Sequence, residues 1–336
     1  MSNICEKIDI SVIVPTRNEI EFINKNLDSL FANKCSEFNF EIIVVDGMSD
    51  DGTREVVIDY IKKGENIKLL DNPKLTTPSA LNIGINNASG DIIIIAGAHS
   101  EYSEDYIYQC ITALESTKAD NVGGPWIAEG NTYIQKAIAL VHSSPFAVGG
   151  AKSHNTNYEG YVDTVTYGCY KKEIIKKIGM FDEELLKCED DELNYRLIRS
   201  GGKIWQTPKI KLKYYPRASI KSLFKQYFSY GFWKVKFFKK HKKHASIRHF
   251  IPGLYFFLLI VSMIGMLLND SLKIIFILLI GAYIFLITLA TIHLTRKSKL
   301  IYMPIYPIIF SCFHAGYGIG YIYGVLRHLI LDCKRK

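Results

Sequence analysis

The chain has 336 residues, 48% of them hydrophobic, and a formal net charge of +8. That length holds more than one compact unit, and the apolar content excludes a disordered chain. The charge is divided: residues 1–200 carry 19 Lys and Arg against 31 Asp and Glu, and residues 201–336 carry 22 against 2.

An acidic globular half therefore precedes a basic and then strongly apolar half. Seven cysteines (Cys5, Cys35, Cys110, Cys169, Cys188, Cys312 and Cys333) include no CxxC pair. This argues against a zinc site or a disulfide framework and fits a reducing compartment. The segment from Met1 to Ile8 lacks the apolar core of a secretory signal, so the globular half is expected in the cytoplasm.

Taken in chain order, residues 9–15 and 40–46 are near-continuous Ile/Val runs that end in polar turns. Such runs predict parallel strands covered on both faces. Further strands are expected at 67–70 and 91–96, with helices near 19–32, 53–63, 78–88 and 103–117. The alternation predicts an α/β fold with a doubly wound, mostly parallel sheet. Ligands of such sheets bind beyond the carboxyl ends of the strands, where Asn18, Glu19, Asp46 and Asp51 fall. No Walker sequence or strand-linked GxGxxG occurs, so a bound diphosphate needs a metal or basic side chains. Residues 142–160 read as a long loop, with a binding lid and disorder both open. A strand is expected around Tyr161–Tyr167, a short helix from Lys171 to Ile178, and a helix from about Asp190 to Ser200 that stops at Gly201-Gly202. The mouth of that last helix packs Glu189, Asp190, Asp191 and Glu192 together. The helix dipole favours such acids, but their mutual repulsion raises pKa values and suits one of them to general base work.

Residues 216–249 interleave aromatics with Lys and Arg and read as a basic interfacial segment. The apolar segments behind it favour an anionic membrane surface over nucleic acid as its partner. Residues 250–336 read as a membrane domain, with spans near 251–268 and 272–294. Basic clusters at Lys239–Arg248 and Arg296–Lys299 place their flanks on the cytoplasmic side. A third segment near 300–326 is either a full span or a re-entrant hairpin that returns the basic tail to the cytoplasm. Gly316-Tyr-Gly-Ile-Gly320 reads as close helix packing.

Val14-Pro15-Thr16-x-Asn18-Glu19, Val45-Asp46 through Asp51-Gly52-Thr53, Ala80-Leu81-Asn82-x-Gly84, Ala88-Ser-Gly90-Asp91, Glu189-Asp190-x-Glu192-Leu193 and Gln226–Lys234 together resemble glycosyltransferase family 2. Gly123-Gly124-Pro125, Ser144-Pro145-Phe146 and Tyr214-Tyr-Pro-Arg217 resemble its succinoglycan-type exopolysaccharide branch. The resemblance implies a GT-A domain over residues 1–215, a nucleotide-sugar donor (UDP-linked), a divalent Mn²⁺ or Mg²⁺, and inversion at the anomeric carbon. It implies a lipid-linked saccharide acceptor and a multi-pass protein of the inner cell membrane with its catalytic domain in the cytoplasm. Pro15, Thr16, Glu19 and Asp46 would line the base and ribose with Asn82 beside them. Asp190 would be the base, supported by Glu189, and Arg196 would hold local structure. Gln226 and Trp233 would contact the diphosphate. Where the family places Asp-x-Asp after the strand Ile92–Ile95, this chain has Gly97-Ala98-His99. His99 is then the metal ligand, with Glu101 the next candidate, and an imidazole suits Mn²⁺ better than Mg²⁺. Restoring the acid by Gly97→Asp is expected to tighten donor binding without damaging the fold. The alternatives are a polyprenyl-phosphate sugar transferase and a catalytically silent paralogue that scaffolds a polysaccharide complex.

Overall fold

The computed structural model describes residues 8–33, 37–242 and 247–331. They fall into two compact units, the first ending at Ile127 and resuming over Lys152–Tyr214, the second made of Ala128–Ala151 and the chain from Tyr215 onward. The basic tail Lys334, Arg335 and Lys336, the side chain of Arg248, and Cys5, Cys35 and Cys333 lie outside the described residues. Cys110, Cys169, Cys188 and Cys312 form no disulfide.

The first unit opens with β1 (Ile8–Thr16), α1 (Ile23–Phe31), β2 (Phe38–Asp46), α2 (Thr53–Lys62), β3 (Ile67–Asp71), α3 (Thr77–Asn87) and β4 (Ile92–Ile95). The four strands pair in parallel in the order β3-β2-β1-β4. The Ile/Val runs of β1, β2 and β4 are buried on both faces, one set packing with α1 and α2 and the other with α3. Then follow β5 (Ser100–Tyr102), α4 (Tyr106–Thr117), β6 (Asn121–Gly123) and β7 (Trp126–Ala128). The second unit contributes α5 (Tyr133–His142) and α6 (Pro145–Val148). The first resumes with β8 (Gly160–Tyr161), β9 (Cys169–Lys171), α7 (Lys172–Lys177), α8 (Glu189–Arg199), β10 (Ile204–Gln206) and β11 (Leu212–Tyr214). The main sheet runs β3-β2-β1-β4-β9-β6-β10-β8, and β9 lies antiparallel to both β4 and β6. The sheet is therefore mixed: its β3-β2-β1-β4 part is parallel as expected, and β9 and β8 bring in antiparallel pairs. The strand expected at 161–167 is split: only Gly160–Tyr161 and Cys169–Lys171 pair, because Tyr167 bends the chain at φ 55°.

One knot of polar groups pins the amino-terminal ends of the strands. Ser11 Oγ and Ser89 Oγ donate to Glu41 Oε1 at 2.7 and 2.6 Å, and Lys68 Nζ sits 2.6 Å from Oε2. Burial opposes the Glu41 charge, but the bonds from Lys68, Ser89 and Ser11 outweigh it and hold the pKa down to about 2. Gly90 is required beside this knot, since a Cβ there would come within 2.7 Å of the backbone of Ile10 and Ser11. A carboxyl whose folded pKa is depressed stabilises the fold above its unfolded value and loses that contribution as pH falls. Glu41→Gln is expected to lower stability by on the order of 2 kcal/mol at neutral pH. The deficit against wild type, followed by thermal melts, should shrink as pH falls from 4.5 toward about 2.

The second unit adds α9 (Ile220–His241), α10 (Ile247–Gly265), α11 (Asp270–Thr295) and α12 (Tyr306–Gly324). A 3₁₀ turn at Leu300–Ile305 leads into α12, and a π-helical stretch, Val325–Leu331, prolongs it. Residues 300–331 thus run as one helical segment rather than a re-entrant hairpin. Asp270–Thr295 and Leu300–Leu331 are long and apolar enough to cross a membrane, whereas His249–Gly265 is a shorter apolar helix. Ala137, Ile138 and Val141 of α5 share a core with Leu223, Tyr306, Phe310 and Phe313. The glycine run acts as packing, as its spacing suggests. A Cβ at Gly320 would lie 2.1 Å from the Phe228 carbonyl oxygen, and one at Gly324 would lie 2.8 Å from that of Phe232. The backbones of α9 and α12 therefore touch. Gly320→Ala is expected to force them apart at a cost of about 1–3 kcal/mol. A lowered melting temperature in detergent, with Gly281→Ala as the unhindered control, checks this.

Candidate active site

Two polar turns at the carboxyl ends of β1 and β2 are stitched to each other. Glu19 N donates to Thr53 Oγ1 at 2.8 Å, Ile20 N to Asp51 Oδ2 at 3.1 Å, and Asn18 N to Ser49 Oγ at 2.8 Å. Thr16, Asp46 and Asp71 stand in register across three strands. Pro15 is part-buried and Thr16 buried. Asp46 is fully buried and accepts from Ser49 N at 2.9 Å, from Ser49 Oγ, and from Arg54 Nη1 at 2.7 Å. Three of a carboxylate's roughly four acceptor directions are thus used within the turn. Asp46 shapes the site here, through Arg54, which also reaches Asp71 at 2.8 Å.

Asn82 is committed elsewhere. Its Nδ2 donates to the Phe181 carbonyl at 2.9 Å, and its Oδ1 accepts from Phe181 N at 2.9 Å. Both ends of the amide pin the turn that leads to α8, so Asn82 positions that helix.

Helix α8 starts from Cys188, which adopts φ 66°, and presents Glu189, Asp190, Asp191 and Glu192 in its first turn. Glu192 is turned inward, and both its oxygens accept from Arg196, at 2.7 and 2.6 Å. Arg196 also donates to the carbonyls of Ile178 and Met180, so it holds local structure. One turn on from Asp190, the buried Asn194 accepts from Asn121 at 2.8 Å and donates to Thr164 Oγ1 at 2.9 Å. These bonds fix the helix against the sheet. Glu189 and Asp190 keep partly exposed surfaces, as groups that meet a substrate must. Burial, then the charges of Glu189 and Asp191, push Asp190 well above the usual carboxylate range. Burial also raises Glu189. The helix dipole pulls the other way and loses.

The end of β4 departs from expectation. His99 Nε2 lies 2.9 Å from Glu19 Oε1, with the Phe22 ring edge-on at 5.0 Å. Two residues predicted for separate tasks, nucleotide and metal, are paired. His99 Nδ1 is buried with no hydrogen-bond partner. Glu101 faces Lys25, at 4.0 Å. Gly97 is not an empty place for an acid: a Cβ there would lie 2.2 Å from both Cζ and Oη of Tyr167. Gly97→Asp on its own is therefore expected to damage the fold, contrary to the sequence reading. Among the described residues no group of three or more His, Cys, Asp and Glu could enclose a metal ion.

In the second unit, Gln226 and Trp233 both lie on α9. Gln226 Nε2 donates to Tyr230 Oη at 2.9 Å, and Trp233 packs edge-on against Phe232 with Lys236 Nζ 5.4 Å from its ring.

The Glycosyl transferase family 2 profile matches residues 11–179. The chain belongs to glycosyltransferase family 2. It is 33% identical over 330 residues to a Methanococcus voltae protein, covering 95% of this chain and 97% of that one. That protein is a dolichyl N-acetyl-alpha-D-glucosaminyl phosphate 3-beta-D-2,3-diacetamido-2,3-dideoxy-beta-D-glucuronosyltransferase. It is also 33% identical over 244 residues to the succinoglycan biosynthesis protein ExoA of Rhizobium meliloti (strain 1021), covering 72% of this chain and 73% of that protein. A solved mannosyltransferase, PcManGT from Pyrobaculum calidifontis in complex with GDP-Man and Mn²⁺, is similar in structure at a TM-score of 0.60 and 16% identity. That match covers 94% of this chain and 88% of the other. The fold of this family 2 chain is accordingly GT-A-like.

The end of β4 thus brings together Gly97, the His99–Glu19 pair and the Tyr167 ring that fills the space beside Gly97. Tyr167 was missed by sequence reasoning. Its only local signal is a glycine at a strand end, which can mean that another side chain intrudes there.

Proposed function

We propose that the protein is a membrane-anchored, inverting hexosyltransferase that moves a sugar from a UDP-linked donor to a lipid-linked saccharide during polysaccharide or glycan assembly. The observation that carries this reading is the Glu189–Asp190 pair, partly exposed at the mouth of α8 with a raised Asp190 pKa, on a family 2 fold. A relative matched over nearly its whole length is named as acting on a lipid-linked saccharide, and this supports the acceptor class. The Asp190 carboxylate takes the proton from the acceptor hydroxyl. The hydroxyl oxygen attacks the anomeric carbon from the face opposite the nucleoside diphosphate, which leaves with the bonding electrons. A new glycosidic bond of inverted configuration results. Glu189 supports the base from the neighbouring position. Pro15, Thr16 and Glu19 line the nucleotide, with Asp46 and Asn82 shaping and positioning the site from behind.

A divalent ion fits this site in a restricted way. The orphaned Nδ1 and the Glu19-paired Nε2 of His99 are suitable ligand atoms, but the described residues supply too few groups to enclose the ion alone. His99 would hold it with most remaining ligands coming from the donor's phosphates, and when bound it would neutralise the departing charge. The apolar helices Asp270–Thr295 and Leu300–Leu331 provide the anchor, with basic α9 at an anionic cytoplasmic surface.

Protein purified in detergent should transfer sugar from one of a panel of nucleotide sugars to an extracted lipid-linked saccharide pool. The anomeric configuration of the product, read by NMR, should be opposite to the donor's. Retention would overturn inversion, and no turnover of any donor would favour the scaffolding alternative. Alkaline carbonate should leave the protein in the membrane pellet; release by salt alone would overturn the anchor.

A further inference from the structure

We propose that Tyr167 is a donor-binding residue, reaching from the β8–β9 connection into the place of a side chain at position 97 and offering a neutral hydroxyl to the donor's diphosphate. The inference rests on the reading of these strand ends as a nucleotide-sugar site. Several independent observations place this ring. Its Cζ and Oη occupy the space where a Cβ on Gly97 would stand, at the carboxyl end of β4. Open α/β sheets bind ligands at that end. The ring base packs against the buried clusters on both faces of the sheet. The Tyr167 carbonyl accepts from Tyr106 Oη at 3.4 Å, and the next carbonyl, of Gly168, accepts from Ile95 N at 3.0 Å. These bonds lay the segment along the end of β4. Tyr167 holds a left-handed backbone at φ 55°, a conformation that L residues with side chains seldom adopt without compensation. The phenol neighbours Tyr102, Tyr214 and Ser100, and the Asp190 charge acts on it more weakly.

The chemistry differs from that of an acid in the same place. A carboxylate facing a diphosphate repels it unless a cation intervenes. A phenol has an O–H to donate and brings no charge. Burial raises the Tyr167 pKa well above the ordinary phenol value, so the group stays a neutral donor throughout the working range. A hydrogen bond to a phosphate oxygen is charge-assisted and stronger than a neutral one. The nucleotide should thus bind measurably without a metal, through Tyr167.

The test is calorimetric titration of the full-length protein in detergent with uridine diphosphate and, as a second probe, guanosine diphosphate, in chelator and then in Mn²⁺. Tyr167→Phe keeps the ring and removes the hydroxyl. Binding in chelator should weaken about tenfold, as expected for loss of a bond to a charged group, with an unchanged melting temperature. A second pair of variants tests the occupancy. Gly97→Asp should lower the melting temperature, and adding Tyr167→Gly should recover part of it and make binding depend on Mn²⁺. Wild-type affinity in Tyr167→Phe would overturn the role of Tyr167 and leave the donor site standing. Failure of the wild-type protein to bind either nucleotide would overturn the donor-site reading and, with it, this inference. A double variant less stable than Gly97→Asp alone would show that the ring does not block position 97.

Discussion

Asp190→Asn is expected to reduce sugar transfer by at least the ~10²-fold that loss of a general base produces, and at the same time to raise the protein's melting temperature. Both effects have one cause. Burial, and then Glu189 and Asp191, disfavour the charged form of Asp190. The folded state therefore holds this proton more tightly than the unfolded chain does. A group whose folded pKa is raised stabilises the fold below its unfolded value and loses that contribution as pH rises through the folded one. Where it is ionised, Asp190 is a burden that asparagine removes. The gap in melting temperature between variant and wild type should be near zero at about pH 4, the unperturbed aspartate range, and widen as pH rises. Transfer shows the opposite face of the same equilibrium, since the base works only when ionised. The acid limb of kcat/KM should lie above the usual carboxylate range, and Asp191→Asn, by removing a like charge, should shift it to lower pH. A variant that loses activity with no gain in stability would mean that Asp190 is not the desolvated group.

The elements that the sequence announced are those whose physics is local. β1 and β2 are legible because Ile/Val runs stop at polar turns, and α8 because four acids precede a helical apolar pattern that ends at Gly201. The stitching of Asn18, Asp51 and Thr53 falls where the strand-end rule puts it. The contacts that reassign residues are long-range. Nothing near Asn82 says that its amide will be consumed by Phe181, and nothing near His99 says that Glu19 will meet its ring. β9 is three residues long, too short for a periodicity to register, while Tyr161–Tyr167 carries Val162 and Val165 at an apolar spacing that packs without pairing. Helix α5 reads as part of the catalytic half by chain order. Its apolar face belongs instead with Leu223 and α12, partners that lie far along the chain. The packing glycines of α12 were legible because a repeated small residue in an apolar helix has few other uses.

His99→Ala is expected to raise the Mn²⁺ concentration needed for half-maximal donor binding by at least tenfold, the scale on which even indirect disturbance of a metal site acts. The family resemblance marks His99 as a ligand, and the structure adds that Nε2 is held by Glu19 while Nδ1 has no partner. An imidazole ligand favours Mn²⁺ over Mg²⁺, which prefers oxygen, so the loss should be larger in Mn²⁺ than in Mg²⁺. Glu19→Gln discriminates the function of the pair. If the carboxylate orients the ring as an outer partner, the variant should weaken Mn²⁺ less than His99→Ala does, and Glu19→Asp should recover part of the loss. If Glu19 itself takes the ion when the donor arrives, the two single variants should be equally impaired. Mn²⁺ binding is measured directly by the loss of the free-ion EPR signal, with and without uridine diphosphate, so the readout does not depend on turnover. Because no enclosing set of ligands exists among the described residues, the signal should fall only when the nucleotide is present. Uptake of Mn²⁺ by the protein alone, or an unchanged titration in His99→Ala, would show that the imidazole serves the fold through Glu19 and Phe22 and not the ion.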